Sequence, residues 1–187
     1  MSLMSLINNI LRKKKNKTYC GEVHLITGSG GGKSTSAYGV ALRALGHGKK
    51  VVIIQFMKGR KDIGEFKFQK QIKNLEVKQF GRTGWVNLNN PSEKDKELAR
   101  DGLAYAYMCL RNKPFLIILD EINLVCAAKM INSKEVIRFL DSVPKSIFVY
   151  LTGRYAPKEL INRADFVVSI ETKKKPKEMN ARKGIEY

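Results

Sequence analysis

Thr27-Gly28-Ser29-Gly30-Gly31-Gly32-Lys33-Ser34-Thr35 stands between a short β-rich run, Glu22–Thr27, and a helical stretch, Ser34–Leu45. Glycines let the backbone turn its N–H groups inward around anionic oxygens, and the following helix adds partial positive charge at its start. Lys33 supplies a mobile cation and Ser34 a hydroxyl suited to magnesium. Strand, glycine loop and helix in this order form a cradle for the triphosphate of a nucleotide. The usual first glycine of G-x-x-x-x-G-K-[ST] is absent: Thr27 holds that place, and the first glycine comes one residue later. A flexible glycine loop with a chance lysine is the bland reading, and the strand–loop–helix setting argues against it.

Working outward, further strand candidates are Val51–Phe56, Leu75–Phe80, Phe115–Asp120, Ser146–Thr152 and Phe166–Glu171. Val51-Val52-Ile53-Ile54 and Phe115-Leu116-Ile117-Ile118-Leu119 are continuously apolar, as strands covered on both faces are. Helical stretches are expected over Ser34–Leu45, ending at Gly46 and Gly48, then near Glu65–Ile72, and over Ser92–Leu110, Ser133–Leu140 and Pro157–Ala164. In the longest, Ala99, Leu103, Ala106 and Leu110 recur at helical spacing, Ser92 with Asp95 resembles a capping box, and Pro157 suits the first turn of its helix. Alternating strands and helices imply right-handed βαβ crossovers and one α/β domain: a mostly parallel six-stranded sheet flanked by helices. The expected division is a flexible basic segment over 1–17, the α/β domain over 18–172 and a basic tail over 173–187. Leu6-Ile7 and Ile10-Leu11 give residues 4–15 a short amphipathic stripe, which suits either a docking helix or a frayed end.

The chain of 187 residues is 43% hydrophobic and 28% charged, which makes collagen, coiled coil and wholesale disorder poor descriptions. Its formal charge is +18, of which +10 belongs to residues 18–170. Such a surface suits nucleic acid, anionic lipid or a polyanionic small molecule, and equally a merely solvated basic face. Cys20, Cys109 and Cys126 form an odd set without C-x-x-C spacing, which argues against a disulfide framework or a structural zinc and for a reducing cytoplasm. The order of apolar and basic residues near Arg12–Lys15 is the reverse of a secretory signal, and no apolar run is long enough to span a bilayer, so no membrane association is expected.

Asp120-Glu121 follows the apolar run Phe115–Leu119, where a parallel sheet delivers acidic residues to its C-terminal edge. Asp120 can hold magnesium directly or through water, or simply cap the next helix. Glu121 would polarise water in an ATPase; the residues alone do not separate ligand from base. His24, alternating with apolar neighbours, reads as structural, and His47, in a Gly-His-Gly turn, as a helix stop rather than a base.

With these elements in order, the chain resembles the P-loop corrinoid adenosyltransferases. The matching segments are the loop Gly28–Thr35, Ala41-Leu42-Arg43-Ala44-Leu45-Gly46-His47-Gly48, Gln55-Phe56-Met57-Lys58-Gly59, Leu119-Asp120-Glu121-Ile122-Asn123, Thr152-Gly153-Arg154 with Ala156-Pro157, and Ala181-Arg182-Lys183-Gly184-Ile185-Glu186-Tyr187. The resemblance implies a P-loop NTPase-like (RecA-like) fold and transfer of the 5′-deoxyadenosyl group of ATP to a cobalt(I) corrinoid, with release of triphosphate. Cobalt(I) is itself a strong nucleophile, so the protein's tasks are alignment, charge neutralisation and exclusion of water. The absence of any Ser/His/Asp or Cys/His constellation agrees with that division of labour.

The same resemblance implies that Gly30, Gly31, Gly32, Lys33, Ser34 and Thr35 surround the triphosphate, reversed relative to ordinary P-loop ATPases, with Gly28 in the same ATP-binding loop; Arg43 takes the position that approaches the nucleoside and Ser29 the neighbouring loop position, an exposed helix or loop residue being the alternative for each. Ser34 and Glu121 would bind Mg2+, with Asp120 supporting. Phe80-Gly81-Arg82-Thr83-Gly84-Trp85-Val86 resembles the corrinoid-side loop, with Trp85 the candidate for displacing the lower axial ligand so that cobalt(II) becomes reducible; a core aromatic is the alternative. Lys33, Glu121 and Trp85 are thus the catalytic candidates. Homodimer formation and a flavoprotein-type external reductant are expected partners. Two departures stand out: Gly31 replaces a lysine common in the family's loop, and Lys174-Lys175-Pro176 stands where Lys-His-Pro is frequent. Arg154 faces the same edge, where either a phosphate or an acid would suit it. The competing readings are a P-loop ATPase acting on nucleic acid, favoured by the charge, and a non-catalytic nucleotide or corrinoid carrier, favoured by Gly31.

Overall fold

The computed structural model describes residues 21–178 and 180–185. Six strands, β1 (Val23–Thr27), β2 (Val51–Phe56), β3 (Leu75–Phe80), β4 (Leu116–Asp120), β5 (Phe148–Thr152) and β6 (Phe166–Ser169), form one sheet in the order β3-β2-β4-β5-β1-β6. All five pairings are parallel. The helices are α1 (Lys33–Gly46), α2 (Gly64–Phe68), α3 (Glu93–Cys109), α4 (Ile122–Ala127), α5 (Ser133–Ser142) and α6 (Lys158–Arg163). The basic segment 1–17 and its amphipathic stripe lie outside the described residues.

Every residue of β2 and β4 is buried, and the reason is a core on each side of the sheet. On one face Ile26, Val51, Ile53, Val77, Leu116 and Ile118 pack under Ala37, Ala41 and Ala44 of α1, whose small side chains let the helix approach closely. On the other, Leu25, Ile54, Phe56, Ile117, Leu119 and Leu151 meet α3 and α5 through Ala99, Leu103, Ala106 and Phe139. A Cβ on Gly102, in the middle of α3, would come within 2.7 Å of the Phe56 ring, so this glycine is the condition for seating α3 on β2.

The expected elements are present with small changes of extent. The stretch near Glu65–Ile72 is one helical turn, α2, continued by a 3-10 turn over Gln69–Gln71. Pro157 is the N-cap of α6, one position ahead of its first turn. The short α4 is an addition, and its N-cap is Glu121, so the reading of Asp120 as a helix cap is corrected. His47 is the C-cap of α1, as its turn implies. His24 is sandwiched between Tyr150 and Phe166 of the neighbouring strands, with ring centroids 4.5 and 4.6 Å away, which confirms a structural role. Cys109 and Cys126 are free and buried.

Two loops at the C-terminal edge, 57–63 after β2 and 81–91 after β3, cross with almost no space between their backbones. A Cβ on Gly59 would lie 2.6 Å from the Gly81 carbonyl oxygen, and one on Gly81 would lie 2.4 Å from the Lys58 nitrogen. The second loop is tied down by Arg82, whose guanidinium bonds both carboxylate oxygens of Asp95 at 2.7 and 3.1 Å. Asp95 in turn closes the capping box with Ser92 at the start of α3.

The Arg82 hydrogen bonds, opposed by burial and helped by Ser92, hold the Asp95 carboxyl down at about 2. Because the folded-state value is depressed below the ordinary 3.8, the stabilisation is complete above that value and is lost as pH falls through about 2. Asp95→Asn should cost about 1–2 kcal/mol at neutral pH, read from urea unfolding. The gap between parent and variant should narrow as the pH is lowered from about 4 to about 2; a constant gap would contradict the ion-pair account.

Candidate functional site

The site grows from the C-terminal ends of β1, β2, β4 and β5, where chain direction and backbone strain coincide. Met57, Glu121 and Tyr155, non-glycine residues just beyond β2, β4 and β5, all have φ between 55° and 69°. Such left-handed positions persist only where their surroundings hold them, and they gather at functional edges. Glu121 is held by its N–H, which donates to the Thr152 hydroxyl at 3.0 Å.

Gly32 (φ 99°) caps α1, leaving the helix N-terminus without a side-chain cap or an acidic residue in its first turn. That end is open to an anion. Gly31 has nothing within 4 Å of a Cβ position, whereas Gly28 and Gly30 are crowded by Ile170–Thr172 of the chain leaving β6. Lys33 is buried, and its ammonium is folded back on the Gly30 carbonyl. Burial, then the charge of Arg154, lowers its pKa, with Glu121 opposing. Ser29 and Thr35 are exposed.

Asp120 is the polar centre. It has no exposed surface, yet it accepts four hydrogen bonds of 2.7 Å each: Ser34 Oγ and Thr152 Oγ1 on Oδ1, Tyr38 OH and Lys58 Nζ on Oδ2. Burial pushes its carboxyl upward, but the Lys58 charge and these hydrogen bonds outweigh it and hold the group below the usual carboxylate range. The network continues across the sheet edge. Gln55 Nε2 donates to the Tyr38 hydroxyl at 2.7 Å, and Gln79 Nε2 donates to Gln55 Oε1 at 2.9 Å. Strand β5 separates β4 from β1, so Asp120 reaches the phosphate loop through α1 and through Thr152 rather than from an adjacent strand.

Beside Asp120 the Glu121 carboxylate has a buried oxygen, Oε2, that lacks a hydrogen-bond partner among the described residues. Burial, then the neighbouring Asp120 charge, raises its pKa, against the pull of Lys58, Lys33 and Arg154. Asn123 pins the same corner by donating to the Ile26 and Gly153 carbonyls. Among the described residues, no group of three or more His, Cys, Asp or Glu is placed to hold a metal by protein alone.

Lys58 links this network to a cavity of about 540 Å³ lined by Met57, Lys58, Arg60, Ile63, Arg82 and Trp85, among others. Trp85 is 98% exposed on its rim, which overturns the alternative of a core aromatic. Arg43 is not brought to the loop. It is exposed, about 15 Å along α1 from Lys33 by helical rise, and its charge acts on Tyr150 in mid-β5.

The residues around Asp120 that motif reading leaves out are Tyr38 and Gln79, while Gln55, Lys58 and Thr152 enter there without a role. Two signals point to them. Gln55 interrupts an otherwise apolar strand near its C-terminal end, and Tyr38 stands four residues after Ser34, on the same face of α1.

A family profile described as ATP:corrinoid adenosyltransferase BtuR/CobO/CobP matches residues 20–187. A corrinoid adenosyltransferase of Sinorhizobium sp is 34% identical over 86% of this chain and 78% of its own length. One from Escherichia coli K12 is 32% identical over 89% of this chain and 86% of its own. The corrinoid adenosyltransferase CobA of Salmonella typhimurium is 31% identical over the same shares. With the loop, the Asp120 network and the parallel sheet that carries them in place, the chain belongs to the ATP:corrinoid adenosyltransferase family, and adenosyl transfer from ATP to a corrinoid is its activity.

Proposed function

We propose that ATP lies with its triphosphate in the loop Gly28–Thr35 and its C5′ turned toward the 540 Å³ cavity, where one face of the corrinoid is received. The observation that carries this reading is Lys58, which is bonded to Asp120 and also lines the cavity, so that the phosphate end and the corrinoid end of the reaction share one wall. Cobalt(I) attacks C5′, the cobalt–carbon bond forms as the C5′–oxygen bond breaks, and the electron pair leaves with the triphosphate. Lys33 and the α1 N-terminus neutralise that departing charge. The buried, strained edge holds the partners in line and keeps water out.

Magnesium suits the donors present, because Glu121 has a buried oxygen with no partner among the described residues and the Ser34 hydroxyl is bonded to the preceding carboxylate, Asp120. Ser34 and Glu121 would hold the ion, with Asp120 behind them orienting Ser34. Few protein ligands are what this ion requires when phosphate and water complete its shell. When bound, it offsets triphosphate charge.

Trp85, exposed at the cavity rim, is the residue for displacing the corrinoid's lower axial ligand, so that an external, flavoprotein-type reductant can form cobalt(I). Arg43 at its present distance would reach the nucleoside only if ATP extended along α1. A homodimer in the cytoplasm remains the expected setting, and the two free buried cysteines suit a reducing compartment. Among the described residues, no helix is long and apolar enough to cross a membrane.

Incubation with ATP, magnesium and chemically reduced cobalamin should yield adenosylcobalamin and triphosphate in equal amounts. Phosphate release stimulated by DNA or RNA, or binding without turnover, would instead favour the ATPase or the carrier. Lys33→Ala should lower the transfer rate by at least roughly 100-fold, and an unchanged rate would remove Lys33 from the mechanism. Trp85→Ala should leave transfer to chemically supplied cobalt(I) within about threefold of the parent while slowing reduction of bound cobalt(II) roughly tenfold. Equal losses in both assays would assign Trp85 to general corrinoid binding. Light scattering on the purified chain tests the dimer.

A further inference from the structure

The chain leaving β6 runs directly over the phosphate loop. The Gly30 N–H donates to the Ile170 carbonyl at 2.8 Å, and the Ile170 N–H donates to the Thr27 carbonyl at 2.9 Å. A Cβ on Gly28 would stand 2.3 Å from the Ile170 oxygen, and one on Gly30 would stand 2.9 Å from the Thr172 nitrogen. These two glycines are therefore demanded by the passage of residues 170–172 as much as by any phosphate. The next three residues are Lys173, Lys174 and Lys175, all exposed.

The charges near the loop show why such a run matters. Among the described residues, the charges of Lys33, Arg154 and Lys58 act at the site against the carboxylates Asp120 and Glu121, and Lys58 is already committed to Asp120. Glu171, whose main chain passes 2.8 Å from a Cβ position on Gly30, brings a third carboxylate, paired with Lys173. A triphosphate, several times negative even with a divalent ion beside it, needs more positive charge than this balance leaves. Gly31, the one loop position with open space around its Cβ and no positive φ, contributes none. Lys173 meanwhile pairs with Glu171 at 2.8 Å, with 88% and 59% of the two side chains exposed. Exposed pairs of this kind are worth little, so an incoming polyanion can displace Glu171 as the partner of Lys173 at small cost.

We infer that Lys173, Lys174 and Lys175 form a cationic flap, anchored to the phosphate loop at Gly28 and Gly30, that closes on the polyphosphate and supplies the charge missing at Gly31. The inference rests on the loop's holding the triphosphate, as proposed above. It makes the start of the C-terminal tail a part of the nucleotide site rather than a solubilising end.

The test uses the full chain carrying Lys173→Ala, Lys174→Ala and Lys175→Ala together, with inorganic tripolyphosphate and then ATP, each with magnesium, titrated calorimetrically at several salt concentrations. The triple variant should bind both roughly tenfold more weakly, with a shallower salt dependence, because three screened charges have been removed. Arginine at the three positions should restore binding. Gly31→Lys should recover most of the loss in the triple-alanine background while adding little to the parent chain. Binding within twofold of the parent, or an equal gain from Gly31→Lys in both backgrounds, would overturn the flap. Lys33→Ala separates the two levels. If it leaves tripolyphosphate binding unchanged, the loop reading itself fails; if it weakens binding while the triple variant does not, only the flap fails.

Discussion

A single buried carboxylate organises this protein's functional edge. Asp120 has no contact with solvent, and a bare charge there would be prohibitively costly. It is tolerated because a serine from α1, a threonine from β5, a tyrosine one turn further along α1 and a lysine from the loop after β2 all converge on its two oxygens. Each donor belongs to a different part of the chain or a different turn of helix, so the carboxylate fixes their relative positions. Removing the acceptor would release the phosphate loop, the cavity wall and the strained turn at Glu121 together.

Close backbone approach is the second constraint, and it acts through glycine at two crossings. At Gly28 and Gly30 the phosphate loop meets the chain leaving β6, and at Gly59 and Gly81 the loops after β2 and β3 meet each other. Side chains at any of these positions would force main chains apart. The crossings thereby tie the glycine loop and the cavity beside Lys58, where the proposed polyphosphate and corrinoid would lie, to the same rigid sheet. Function here is a matter of holding reactive atoms in register, for which rigid crossings serve better than flexible loops.

Much of this was legible in the chain itself. The doubly covered strands β2 and β4 show as unbroken apolar runs, the capping box of α3 as Ser92 with Asp95, and the phosphate loop as glycines followed by Lys33 and Ser34. The Asp120 network was not legible as a network, because its members are scattered from Ser34 to Thr152 and their meeting depends on strand order. Trp85 illustrates the limit most clearly: an aromatic in a loop is equally consistent with burial and with display, and its 98% exposure is visible only in the folded chain, in a loop anchored by Arg82 on Asp95. Arg43 illustrates the converse, since its place in a matching segment says nothing of its distance from Lys33 along a straight helix.

Local chemistry therefore determined the elements, the parallel sheet, the phosphate cradle and the family, because periodicity, glycine placement and motif spacing are properties of neighbouring residues. The tertiary structure alone decided which side chains share one carboxylate, which glycines stand at a backbone crossing, and that the lysines of the tail follow the segment that crosses the glycine loop. The physical reason is that these are contacts between residues distant in the chain, with Thr152 32, Lys58 62 and Ser34 86 positions from Asp120, and only the order in which strands lie in the sheet brings them together.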